Sequence, residues 1–268
     1  MVRLEENKNI VITGSTNGIG LEMALEFLKA GCNVTISGRK TEIGNKIADR
    51  LKAYTGQYIY VKCDVRILAD VQSLWDLSYE KWSSIDIWIN NAGVNVPYRN
   101  IWDTESCYTE NVINTNISGM ISGSQIAAKN MIQENKGAIY SMEGLGSNNM
   151  WQPRTILYGT TKHALTYFMK GLAKELEGTN VIAGRLYPGM MITDFITRGP
   201  DGKTAETMDN QSFKKIFNIL GDKPDTVAKH LVKRMLLNRK NDVRISWLTT
   251  RKVIVRFLTA PFNKRKLI

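Results

Sequence analysis

Six short apolar runs, separated by longer stretches of helical spacing, set the folding options of this chain. Asn9 to Thr13, Asn33 to Ser37, Gln57 to Val61, Ile85 to Asn90, Gly137 to Met142 and Asn180 to Leu186 read as strands. Several are nearly continuously apolar, as strands covered on both faces should be. Helical patterns fall near 19–30, 41–54, 69–82, 109–133 and 157–177, followed by a helix at 224–238 and a last strand at Asp242 to Leu248. Such alternation implies an α/β architecture, a doubly wound parallel sheet with helices on both faces. No Pro/Gly/Ser-rich linker and no internal repeat divides the 268 residues, so residues 1–268 are expected to form a single domain.

A hydrophobic content of 43% with 23% charged residues is ordinary for a soluble globular chain. No apolar run approaches the roughly 18 residues that span a bilayer, and the polar N-terminus has no signal-peptide core. Cys32, Cys63 and Cys107 share no metal-ligand spacing, so reduced thiols and a cytoplasmic location are expected. Two histidines, His163 and His230, argue against a histidine-rich metal site, and no metal is expected. The net charge of +11 suggests acidic partners. Nucleic acid is not expected, because zinc-finger spacing and RNA-binding aromatic signatures are absent. A phosphate-rich cofactor and a basic tail account for the charge.

The first strand runs into a glycine-rich turn, Thr13-Gly-Ser-Thr-Asn-Gly-Ile-Gly20, before a helix that begins near Ile19. Glycines let a backbone approach a pyrophosphate, and the helix N-terminus offers free N–H groups and a positive dipole end. A Rossmann-type dinucleotide site for NAD wants an acid at the end of the second strand. This chain has Ser37-Gly38-Arg39-Lys40 there. Arginine suits a 2′-phosphate through its bidentate donors, so the expected cofactor is NADP(H). A solvated turn with two surface cations is the plainer reading.

Tyr158 and Lys162 stand four residues apart on one helix face. A nearby cation favours the phenolate and lowers a tyrosine pKa that is otherwise about 10, giving a general acid usable near neutral pH.

Taken in order, Thr13-Gly-x-x-x-Gly-x-Gly20, Cys63-Asp64-Val65, Asn90-Asn-Ala-Gly93, Asn116, Tyr158-x-x-x-Lys162 and Pro188-Gly189 resemble the short-chain dehydrogenases/reductases, over nearly the whole chain to about residue 250. The resemblance implies reduction of a carbonyl by hydride transfer, or oxidation of the matching alcohol. Tyr158 would donate the proton, Lys162 would bind the nicotinamide ribose, and Asn116 would hold a water linking Lys162 to solvent. Gly14, Ser15, Asn17, Gly18, Ile19 and Gly20 would cradle the cofactor with Arg39. Asp64 and Val65 would border its adenine, while Asn91, Ala92, Gly93, Pro188, Gly189 and Thr193 would line it. Family members are usually dimers or tetramers built through helices near 109–133 and 157–177, so a homodimer or homotetramer is implied.

The family serine about thirteen residues before the tyrosine is missing. Its place falls near Gly144 or Leu145, within Ser141-Met-Glu-Gly-Leu-Gly-Ser147. Ser147 is the first candidate to replace it and Ser141 the second. Met142-Glu-Gly-Leu-Gly-Ser147, Tyr158-Gly-Thr-Thr-Lys162 and Pro188-Gly-Met-Met-Ile-Thr-Asp194 are similar to the chlorophyll b reductase-like subgroup. That similarity implies a bulky apolar carbonyl substrate. As a group Met142, Met150, Trp151, Met190 and Met191 would wall it, although each taken alone reads better as core. A hydroxysteroid or 3-oxoacyl reductase, and a non-catalytic NADPH-binding scaffold or sensor, are the alternatives.

Residues 194–222 read as a flexible substrate flap or as a surface excursion. The tail, about 249–268, belongs to a stretch from Val243 with seven cations (Arg244, Arg251, Lys252, Arg256, Lys264, Arg265, Lys266) and no acid. It reads either as a peripheral membrane contact or as a segment packed on its own fold or across a subunit interface.

Overall fold

The computed structural model describes residues 7–200, 202–262 and 265–268. Seven strands form one parallel sheet: β1 Asn9–Ile12, β2 Asn33–Gly38, β3 Tyr58–Lys62, β4 Ile87–Asn90, β5 Gly137–Met142, β6 Val181–Tyr187 and β7 Val243–Ser246. Their order is β3-β2-β1-β4-β5-β6-β7. Between them run α1 Gly18–Lys29, α2 Asn45–Leu51, α3 Leu68–Trp82, α4 Ser106–Ile113, α5 Gly119–Gln133, α6 Ile156–Glu175, α7 Asp194–Thr197, α8 Gln211–Leu220, α9 Pro224–Leu237 and α10 Thr250–Thr259.

Alternation along each strand divides the core. Ile10, Ile12, Ile36, Ile89, Tyr140 and Leu186 face α1 and α9. Val11, Trp88 and Ile139 face α3, α5 and α6, where Leu74, Trp75, Ala127, Leu165 and Met169 cover them. Both faces of the central strands β1, β2, β4 and β5 are buried, which is why they read as continuous apolar runs rather than alternating ones.

The strand order reverses between β1 and β4, and a crevice at such a switch point, beyond the carboxyl ends of the strands, is where open α/β sheets bind ligands. The expected 109–133 helix is divided: α4 and α5 are joined by a π-turn at Asn114–Ser118. The expected 41–54 helix shortens to α2 plus a single tight turn, Lys52–Tyr54.

The tail folds back on the chain. Asp222 is buried and accepts from Arg256 at 2.7 Å, from Arg265 at 2.8 Å and from the Trp247 indole at 2.6 Å. The Asn218 side chain holds the backbone N–H groups of Leu267 and Ile268. Lys264 lies outside the described residues.

Candidate active site

At the crevice, Gly14 has φ +60°, and a Cβ there would stand 2.8 Å from the Ala92 Cα. Only glycine lets the turn close against the segment after β4. Asn91 donates from its side chain to the carbonyls of Thr13 and Gly14, and Ala92 donates its N–H to the Thr13 hydroxyl. The Asn17 side chain caps the start of α1 at Gly18, so this helix N-terminus opens beside the turn. Ser15 is buried and turned away: its hydroxyl donates to Ile12 and accepts from the Ser37 N–H. Arg39 is exposed at the carboxyl end of β2 and Asp64 follows β3. The Asp64 carboxyl is held below its usual range by Arg66, which hydrogen-bonds it, and by Arg39 among its neighbours. Backbone, helix terminus and an arginine without a competing acid on β2 are a donor set that fits a phosphorylated dinucleotide.

Tyr158 and Lys162 lie on α6 against the loop that leaves β5. The Lys162 ammonium donates to the Met142 carbonyl at 2.9 Å and lies 5.7 Å from the centre of the Tyr158 ring. Gly93 approaches the same ammonium, since a Cβ on it would lie 3.7 Å away. Asn116 sits in the π-turn with its amide committed to the Val94 backbone and to Thr161. A π-turn interrupts the regular ladder of helical hydrogen bonds, a local irregularity often found at functional sites.

The net shift on Tyr158 runs opposite to the expected lowering: burial raises its pKa, with a smaller push from the Tyr187 hydroxyl. Burial instead pulls the Lys162 ammonium down to about 8, against an opposing pull from Glu143.

The serine candidates are accounted for by other partners. Ser147 donates to the Lys162 carbonyl at 3.1 Å and accepts from the Gly144 N–H at 3.2 Å, bracing the loop against α6. Ser141 is buried behind the site against Met169 and Asn90. Of the two residues near the family's serine position, Gly144 faces the tyrosine: a Cβ on it would lie 2.5 Å from the Tyr158 hydroxyl.

The wall residues divide as well. Met142 is in the core on the α1 side, whereas Trp151 is 93% exposed and Met150 59%. The flap begins as a clasp: Asn17 donates to Asp194, the Phe195 ring lies 5.6 Å from that of Tyr158, and Asn95 donates to the Phe195 carbonyl. Thr193 faces the glycine turn, 3.7 Å from where a Gly18 Cβ would be. Sequence reasoning missed Phe195, Tyr187 and Glu143. The motifs point to chain segments, whereas these residues reach the site through tertiary packing.

The family model for short chain dehydrogenase matches residues 8–203. The chain belongs to the short-chain dehydrogenase/reductase family of oxidoreductases. It is 38% identical over 231 residues to the chloroplastic chlorophyll(ide) b reductase NOL of Oryza sativa subsp. japonica, covering 84% of this chain and 65% of that protein. It is 31% identical over 272 residues to the probable chlorophyll(ide) b reductase NYC1 of Arabidopsis thaliana, covering 94% and 53%. The chain thus spans about half to two thirds of the length of these curated relatives. Among solved structures, ElxO with NADP bound matches at TM-score 0.76 and 28% identity, covering 90% of this chain and 96% of that one.

Proposed function

We propose that this oxidoreductase reduces a carbonyl, or oxidises the matching alcohol, on a bulky apolar substrate, with NADP(H) as cofactor and Tyr158 as proton donor. The observation that carries the reading is the meeting of Tyr158, Lys162 and the glycine turn at the carboxyl edge of one parallel sheet. NADP(H), when bound, would supply or take up the hydride. Gly14, Gly18 and the start of α1 would hold its pyrophosphate, Arg39 its 2′-phosphate, Lys162 its ribose and Thr193 its carboxamide. A phenol of ordinary pKa about 10 is protonated at neutral pH, and burial pushes Tyr158 further that way, the form an acid needs in the reductive direction. Gly144, without a side chain, lets that phenol sit close against the loop after β5, and the likeness to chlorophyll(ide) b reductases favours a large substrate. NADPH oxidation against a panel of bulky and small carbonyls, with Tyr158→Phe as control, tests the reading. Firm NADPH binding without Tyr158-dependent turnover of any carbonyl would favour a scaffold.

Three further parts belong to this proposal. The exposed Tyr167 of α6 and Ile132 of α5 support a homo-oligomer, checked by light scattering. On α10 and just beyond it, Ile254, Val255, Phe257, Leu258 and Phe262 are exposed near Arg251, and no acid lies between Val243 and Ile268. That supports a peripheral contact with anionic lipid, checked by liposome sedimentation of intact and tail-deleted chains. The free thiols at Cys32, Cys63 and Cys107 accord with a cytoplasmic location, checked by imaging a tagged chain.

A further inference from the structure

Glu143 leaves β5 with its side chain fully buried, directly before the glycine that faces Tyr158. A carboxylate taken out of water is costly unless charge and hydrogen bonds compensate it. Two groups do so here. The Arg244 Nε on β7 meets one oxygen at 2.5 Å, and the Thr166 hydroxyl donates to the other at 2.9 Å.

Thr166 lies one helical turn beyond Lys162 on α6. The carbonyl that holds the Lys162 ammonium belongs to Met142, the residue joined to Glu143 by a peptide bond. The carboxylate is thus paired directly with one cation, Arg244, and tied through Thr166 and Met142 to the segments that hold another, Lys162. Arg244 is about one third exposed and stacks on the Tyr187 ring at 4.3 Å, whereas Lys162 is buried. Lys162 lies beside the Tyr158 ring and on the Met142 carbonyl, with Asn116 on its Gly93 side, and among the described residues Glu143 is the charged group that acts on it.

We propose that Glu143 is a positioning residue for the reaction: its buried carboxylate is the counter-charge of Lys162, keeping the ammonium charged and seated on the Met142 carbonyl beside Tyr158. The electrostatics agree in direction, since Glu143 opposes the effect of burial on Lys162. The ion pair to Arg244 then does more than join β5 to β7. It fixes the carboxylate where Lys162 feels it, while solvent screens the arginine more than the lysine. The consequence for catalysis rests on the oxidoreductase reading, but the electrostatic link does not.

The test is therefore a titration of Lys162 itself, by NMR of the full chain labelled with ε-¹³C-lysine, the resonance being assigned by its loss in Lys162→Arg. In Glu143→Gln the midpoint is expected to fall by about one pH unit or more. In Arg244→Gln, where the competing cation is removed and the carboxylate stays, it is expected to rise. If carbonyl turnover is measurable, the alkaline limb of its pH profile should move with the midpoint in each variant. A midpoint unchanged in the variants that fold, with only thermal stability altered, would overturn the proposal and leave Glu143 as a strand staple. Absence of turnover in the unmodified chain would count against the oxidoreductase reading alone, because the titration needs no substrate.

Discussion

A Cβ built on Gly144 would stand 2.5 Å from the Tyr158 hydroxyl, so a side chain at 144 and the phenol in its present place exclude one another. Gly144→Ala should therefore displace Tyr158 rather than merely fill space. Turnover is expected to drop about tenfold or more while the far-ultraviolet circular dichroism stays unchanged, because misplacing a reacting group by about 1 Å can cost a hundredfold. Gly144→Ser, which adds a hydroxyl near the family's serine position, meets the same clash and should lower turnover likewise.

Tyr158→Phe removes the proton donor and leaves the turn and Lys162 in place. A loss of about 10²- to 10⁴-fold in turnover is expected, the range for general acid–base groups. NADPH affinity by fluorescence should stay within a few-fold.

Arg39 is the cation at the end of β2, where an NAD site would carry an acid. Arg39→Ala should weaken NADPH binding about tenfold or more, the worth of a charge-assisted hydrogen bond, and leave NADH binding nearly unchanged. Kd values for the two cofactors check it.

Burial pulls the Lys162 ammonium from 10.5 down to about 8. The unfolded chain keeps that proton to about pH 10.5 and the folded chain only to about 8, so this group makes the fold more stable as pH rises between those values. Below pH 8 the charged form costs the fold ~3 kcal/mol. Lys162→Met should accordingly raise the Tm at pH 7, flatten that pH dependence and abolish turnover. Melting curves at pH 7 and pH 9.5 check the first two.

Asp222, the last residue of the flap, ties the tail to the segment between β6 and the flap: its N–H donates to the Met190 carbonyl, and its carboxylate holds Arg256 and Arg265. Asp222→Asn leaves both guanidinium groups short of charge. A loss of about 2–3 kcal/mol in stability is expected, below that for a fully buried pair because Arg265 keeps some solvent. Thermal melts measure it, and limited proteolysis should cut first in 194–222.

Much of the architecture was legible before any coordinates. β5 occupies its expected range, and the other strands shift only at their ends, because double burial writes the central strands as apolar runs. The division of the 109–133 helix at Asn114–Ser118 was not legible, since nothing in local propensity separates a π-turn from an ordinary one. In the site, Tyr158, Lys162 and the glycine turn stood out through spacing along the chain. Ser147, the first candidate for the missing serine's role, lies in the loop that faces Tyr158, but that loop turns its hydroxyl onto the Lys162 carbonyl, which spacing alone does not show.

The sequence by itself determined the strand and helix alternation, the cation at the end of β2 and the Tyr158–Lys162 pair, because each depends on neighbours within a few residues. The tertiary structure decided which residues surround that pair. Glu143, Arg244, Tyr187 and Phe195 come from separate strands and the flap, and they meet only when β5, β6 and β7 lie side by side under α6. Burial at that meeting point, absent from any local window, raises the pKa of Tyr158 and lowers that of Lys162.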